Sequence, residues 1–197
     1  MIKEIKDRRS IRKYDGREVP REMLKQIIAA GLCAPSAKNR QPWKFIVVTN
    51  NAKRDVLLEM ERGLEREKRE PLLPESTASI ADAEHTLEVM GQSAAVIFVM
   101  NTLGVELSRT LTVDERVYEI CNAQSIGAAV QNMSLAAVEL GLGSLWVCNT
   151  FFTQPELNEW LNTDGELFAA LAVGYAAERP SPRPRKPISE TVEWRSY

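Results

Sequence analysis

The sequence predicts a mixed fold in which helices separate four or five strands. Two observations predict it. Segments at 20–33, 52–70, 79–91 and 114–140 carry helical patterning, and short apolar runs of strand length stand between them at 43–49, 93–101, 144–149 and 167–175. The 94–100 run is strand-sized and no apolar run reaches the length of a membrane span. With 197 residues, 44% of them apolar, the chain suits one domain. A formal net charge of -2 argues against nucleic acid as a partner, because nucleic-acid-binding domains are clearly basic. The start, Met1-Ile2-Lys3-Glu4, has no signal-peptide core, so the expected location is the cytoplasm. Cys33, Cys121 and Cys148 are far apart and His85 stands alone, which speaks against a metal cluster, a disulfide framework and a Ser-His-Asp triad.

Each element has a local reason. In 20–33, Met23, Leu24, Ile27, Ile28 and Leu32 recur at helical spacing, Pro20 suits a first turn and Pro35 prevents the helix from continuing. Ala34-Pro35-Ser36-Ala37-Lys38-Asn39-Arg40-Gln41-Pro42 is a loop, and Trp43 opens a buried strand ending at Asn50-Asn51. The helix at 52–70 is weakened by Gly63 and ends in alternating charges of a solvated face. A third helix at 79–91 leads into 93–101, whose continuous apolar run implies burial on both faces. The connection 102–113 is poorly patterned and is expected to be mobile or to cover a site. In the long helix 114–140, Val117, Ile120, Cys121, Ala128, Met133, Leu135 and Val138 mix with small residues (Ser125, Gly127, Ala128, Ala129) that permit close approach, so it is read as a central or subunit-crossing helix. Gly141-Leu142-Gly143 stops it. After Ala177 the composition changes: 178–187 holds four prolines and four cations, the tail as a whole is expected to form no helix, and Trp194 and Tyr197 near the end favour a tail held against something.

Three features carry possible chemistry. Arg8, Arg9, Ser10, Arg12 and Lys13 combine guanidinium forks with a hydroxyl, which suits a phosphate dianion and equally a solvated basic face. The 35–42 loop is closed by proline at both ends and offers Asn39 and Gln41. The tail offers Arg183, Arg185 and Lys186. Together they could form a phosphate clamp and a polar edge for a flat heterocycle. No Gly-x-Gly-x-x-Gly follows the first strand and no Walker loop is present, which speaks against a Rossmann dinucleotide site and against nucleotide hydrolysis.

The Arg-Arg-Ser-x-Arg opening, the 34–43 loop, Ile126-Gly-Ala-Ala-Val-Gln-Asn-Met133, Leu140-Gly-Leu-Gly-Ser-Leu-Trp146 and the Pro/Arg tail resemble, in order and spacing, the nitroreductase family of FMN-dependent oxidoreductases. The resemblance implies an α+β three-layer sandwich: a mixed, mainly antiparallel sheet flanked by helices. It implies a flavin-binding domain at 1–178, with an extended tail at 179–197 exchanged between subunits of a homodimer whose FMN sites lie at the interface. By the same resemblance, Arg8, Arg9, Ser10 and Arg12 form the first flavin-binding run. Arg8 and Ser10 face the phosphate and ribityl chain, and Arg12 faces the N1/O2 edge. Pro35, Ser36, Ala37, Asn39 and Gln41 reach the flavin from the other subunit. Trp146, Val147, Cys148 and Asn149 form the segment whose backbone meets N5, although larger members carry an acidic–glycine pair where Cys148-Asn149 stands. Arg183 and Arg185 complete the phosphate site, and His85 sits near where relatives often have an Asn. The implied activity is hydride transfer from NAD(P)H by a ping-pong mechanism to nitroaromatics, quinones or a related acceptor, with no catalytic nucleophile or dedicated base and no metal. Alternatives are a flavin-fragmenting or dehalogenating member of the same fold, or a non-catalytic flavin carrier or sensor. Neither nucleic acid nor membrane is an expected partner.

Overall fold

The computed structural model describes residues 1–72 and 74–196; the expectation for Tyr197 lies outside them. Helix α1 (Lys3–Asp7) precedes α2 (Arg21–Leu32), strand β1 (Trp43–Thr49), α3 (Asn50–Arg69), α4 (Ile80–Gln92) and β2 (Ala95–Asn101). The long α5 (Val113–Glu139), β3 (Gly143–Val147), α6 (Gln154–Leu161), β4 (Glu166–Gly174) and the single turn α7 (Ile188–Thr191) complete the order. That turn corrects the expectation of a helix-free tail: Pro187 stands at its N-cap, where a missing N–H costs nothing.

The strands form one sheet in the order β1-β2-β4-β3. Every pairing among these strands is antiparallel, with Trp43 opposite Asn101, Ala95 opposite Val173 and Ser144 opposite Val173. Among the described residues, the expected parallel component is an isolated bridge between Ser10 and Ser144. β2 is buried along its whole length, as its unbroken apolar run requires. Alternation sends Val96, Phe98 and Met100 to one face, against Val56 and Met60 of α3, Met90 of α4 and Leu157 of α6. Ala95, Ile97 and Val99 go to the other, against Leu24 and Ile27 of α2 and Ile126, Ala129, Val130 and Met133 of α5. The result is the three-layer helix–sheet–helix sandwich of an α+β protein. Among the described residues, no helix is long and apolar enough to cross a membrane.

Two readings of helix faces change. Val117 and Ile120 of α5 are exposed, as is Val113, so the first third of that helix carries an uncovered apolar stripe. Leu32 of α2 is 54% exposed. The 102–112 connection is tied down at both ends. Leu103 N–H donates to Asn101 Oδ1, and Thr112 forms a capping box with Glu115, which also accepts from Arg109 at 2.5 Å.

Those bonds depress the Glu115 carboxyl to about 2; the Arg109 hydrogen bond contributes most, followed by Thr112. A depressed carboxyl stabilises the fold above its unfolded pKa of about 4.3, and that stability disappears as pH falls toward 2. Between about pH 4.5 and pH 2.5 the unfolding free energy of wild type is therefore expected to fall more steeply than that of Glu115→Gln. Equal slopes in denaturant titrations would remove the assignment.

Candidate functional site

The first basic run is positioned by the edge of the sheet. α1 ends at Asp7, Arg8 N–H donates back to Glu4 O at 2.8 Å, and the chain turns to an extended course. It then runs beside β3, where Ser10 bridges Ser144 and Ile11 N–H donates to Ser144 O at 3.0 Å. Gly143 is required for this crossing, because a Cβ there would lie 2.7 Å from Ile11 Cγ1. Tyr14 pins the far end: its hydroxyl lies 3.2 Å from Ile11 O and 3.3 Å from Ala172 O, and burial raises its pKa and keeps it protonated.

Within the run, Arg9 Nη1 donates to Lys6 O at 2.7 Å and Arg8 O at 2.8 Å, while Arg9 Nε is buried without a partner among the described residues. Arg12 is exposed, with Nη1 3.4 Å from Ser10 O. Trp146 follows Ser144 by two residues. It lies on α5, where a Cβ on Gly127 would be 3.6 Å from its Cη2, and its Nε1 is also buried without a partner. Val147 closes β3, and Cys148 and Asn149 follow it as exposed residues. Asn149 Oδ1 accepts from Phe151 N–H at 3.2 Å, and the buried Thr150 Oγ1 has no partner. Partial burial pushes the Cys148 thiol up, so at neutral pH it stays protonated and poorly nucleophilic.

The 35–42 loop contains one 3₁₀ turn (Ala37–Asn39) and three left-handed non-glycine residues: Lys38 (φ 54°), Asn39 (φ 55°) and Gln41 (φ 48°). Such backbone is costly and persists only where bonds over-determine it. Here Ala37 N–H donates to Ser125 Oγ at 3.2 Å, Gln41 N–H to Ser36 Oγ at 3.0 Å, and Gln41 Nε2 to Asn39 Oδ1 at 3.2 Å. Arg40 lies over the Tyr118 ring of α5 at 5.0 Å. Pro35 and Asn39 are exposed, and Ser36 and Ala37 half-buried.

The structure therefore brings the 8–12 run and the 146–149 segment together across β3. It seats the 35–41 loop on α5, which touches α1, the loop and β3. It does not bring the tail cations to them within one chain. Arg183 and Arg185 are exposed, and among the described residues the Arg185 guanidinium bonds to Arg183 O and Pro184 O. His85 is a surface residue of α4, 3.3 Å from Glu88 Oε2.

Two residues that the sequence did not mark as site residues belong to this frame: Ser125, which holds the loop, and Glu178, whose Oε1 accepts from Arg12 N–H at 2.5 Å. Ser125 had a faint signal, as a polar residue in a run of small ones. Glu178 had none, since its partner is far away in sequence.

The nitroreductase family profile matches residues 5–175. A Thermus thermophilus protein named NADH dehydrogenase is 29% identical over 95% of this chain and 92% of its own length. A Bacillus subtilis protein named FMN reductase [NAD(P)H] is 29% identical over 100% of this chain and 74% of its own. The fold is shared with the FMN-dependent nitroreductase NfnB of Mycobacterium smegmatis, solved in complex with NADPH, at a TM-score of 0.73, 20% identity, and coverage of 98% of this chain and 96% of that one. A profile match across most of the chain, a three-layer antiparallel frame and full-length relatives together place this protein in the nitroreductase family.

Proposed function

We propose that this protein is an FMN-dependent oxidoreductase that takes hydride from NAD(P)H and reduces nitroaromatics, quinones or a related acceptor by a ping-pong mechanism. The observation that carries the reading is the pair of unpartnered buried donors, Arg9 Nε and Trp146 Nε1, on segments joined by the Ser10–Ser144 bridge. Both atoms only donate, buried donors are rarely left unpaired, and FMN offers the acceptors: phosphate, ribityl hydroxyls and ring carbonyls. The residues present fit the group.

In this reading Arg8, Arg9 and Ser10 hold the phosphate and ribityl chain, and Arg12 places positive charge at the N1/O2 edge. Trp146, Val147, Cys148 and Asn149 flank N5. Pro35, Ser36, Ala37, Asn39 and Gln41 close the site from the second subunit, and Arg183 and Arg185 complete the phosphate clamp. Bound FMN supplies reversible hydride acceptance. The chain's own residues orient the two substrates, exclude water and stabilise charge, so no side chain acts as a nucleophile or obligatory base.

The assembly that supports this is a homodimer with exchanged tails, in which 1–178 form the domain and 179–197 dock on the partner. The N-terminal run covers part of the β3 edge, whereas β1 is an open edge with Val47 41% exposed. Beside it lies a groove of about 940 Å³ lined by Val19, Leu24, Ile28, Leu32 and Val47, with Arg21 and Lys25 among its charged residues. The partner's tail suits it: Ile188, Val192 and Trp194 are apolar and exposed, Trp194 at 84%. The α5 stripe of Val113, Val117 and Ile120 supplies a second contact between copies.

The test is anaerobic mixing of the purified yellow protein with NADH or NADPH, with its mass in solution measured by sedimentation. Rapid bleaching in a dimer is expected, and Cys148→Ser is expected to bleach within about threefold of the wild-type rate, because a protonated thiol contributes nothing to hydride transfer. Bound flavin indifferent to both nucleotides would favour the carrier or sensor reading. A monomer would remove the exchanged tail, and a hundredfold loss in Cys148→Ser with FMN still bound would make that thiol catalytic.

A further inference from the structure

Glu178 brings a carboxylate to the backbone of the first basic run. After β4 the chain zips antiparallel along 13–15: Asp15 N–H donates to Tyr175 O at 3.1 Å, Tyr14 bridges Ala176, and Ala177 N–H donates to Lys13 O at 2.9 Å. The next rung is not backbone to backbone. The half-buried Glu178 carboxylate accepts from Arg12 N–H at 2.5 Å, and residues 181–187 beyond it are exposed. A carboxylate on a backbone N–H is a charge-assisted bond, stronger than the neutral rungs before it.

The position of that bond has two consequences. It fixes the backbone of Arg12, whose guanidinium makes a long contact to Ser10 O at 3.4 Å. It also fixes the residue at which the tail departs. Pro180, Pro182, Pro184 and Pro187 stiffen that tail, and a polyproline-type segment advances about 3.1 Å per residue with little bending. The direction set at Glu178 therefore propagates to Arg183, Arg185 and the docking segment beyond them.

We infer that Glu178 is a positioning residue: by holding Arg12 N–H it sets both the flavin-facing run and the exit vector of the tail, so that cofactor retention and subunit association depend on one side-chain acceptor oxygen. This inference rests on the flavin reading of the site.

The experiment titrates FMN into flavin-stripped wild type, Glu178→Ala, Glu178→Gln, Glu178→Asp and Arg8→Ala, following flavin fluorescence, with dimer dissociation measured by sedimentation on the same samples. Glu178→Ala is expected to weaken FMN binding by about tenfold or more and to weaken the dimer in parallel, the scale of one charge-assisted bond. Glu178→Gln keeps an acceptor oxygen at the same reach and is expected to stay within about threefold of wild type in both measurements. That rescue separates positioning from general destabilisation. If Glu178→Ala yields no folded protein, Glu178→Asp decides: its shorter arm withdraws the acceptor, so it should bind FMN about tenfold more weakly than Glu178→Gln. Equal Gln and Asp affinities overturn the inference. So do a Gln variant as weak as Ala, an Ala variant equal to wild type, or flavin loss with an unchanged dimer. If Arg8→Ala loses FMN while Glu178→Ala keeps it, the flavin reading stands and the role of Glu178 falls. If wild type takes up no FMN, both fall.

Discussion

Arg8→Ala/Arg183→Ala is expected to emerge from purification colourless. In the proposed site each guanidinium would give the cofactor phosphate a charge-assisted bond worth about 1.5–3 kcal/mol. Two such bonds on separate segments sum to about 3–6 kcal/mol, or roughly a hundred- to ten-thousandfold in FMN affinity. Neither side chain makes a hydrogen bond or ion pair within the single chain among the described residues, so the stability of the flavin-free protein should stay within about 0.5 kcal/mol of wild type. The absorbance spectrum after gel filtration reads the outcome directly. Yellow protein at stoichiometric flavin would place the phosphate elsewhere and remove the convergence of the two chain ends.

The second large effect concerns the support beneath the 146–153 segment. Arg66 of α3 joins Glu67, which is fully buried, to Glu156 of α6. Its Nη1 lies 2.7 Å from Glu67 Oε2, its Nε 2.7 Å from Glu156 Oε1, and its Nη2 also donates to Phe152 O at 3.3 Å. Burial opposes ionisation of Glu156, but the Arg66 bonds outweigh it and leave its pKa lowered. Arg66→Met removes the guanidinium and leaves both carboxylates in place, and losing one partner of a buried pair costs about 3–5 kcal/mol. Urea unfolding is expected to show that loss with an unchanged m-value. A loss below about 1 kcal/mol would mean that the network is solvated and worth no more than a surface pair.

The same corner shows how far the chain could be read before it was folded. Gly63 looked like a weakness in a helix by propensity. In the structure a Cβ there would lie 2.8 Å from Glu156 Oε2 and 2.9 Å from Thr153 Cα, so the glycine is what allows α3 and the segment after β3 to touch. Glu65, Arg66 and Glu67 read as one solvated stretch; Glu65 is exposed, whereas Arg66 and Glu67 turn inward. Helical periodicity placed Leu24, Ile27 and Met133 in the core and was right, yet it treated Val117 and Ile120 alike and they are exposed. A period reports which residues share a face. It does not report what that face meets, and at the start of α5 it is left exposed among the described residues.

From sequence alone, the helix and strand segments, the buried central strand, the three groups of candidate cofactor residues and the family were legible, because each rests on local patterning or on motifs in fixed order. The strand order β1-β2-β4-β3, the open β1 edge, the anchoring of the 35–41 loop by Ser125 and the meeting of Glu178 with Arg12 were decided only by the tertiary structure. The physical reason is that these depend on which distant segments share an edge or a hydrogen bond, and a donor and acceptor 166 residues apart leave no periodic trace along the chain.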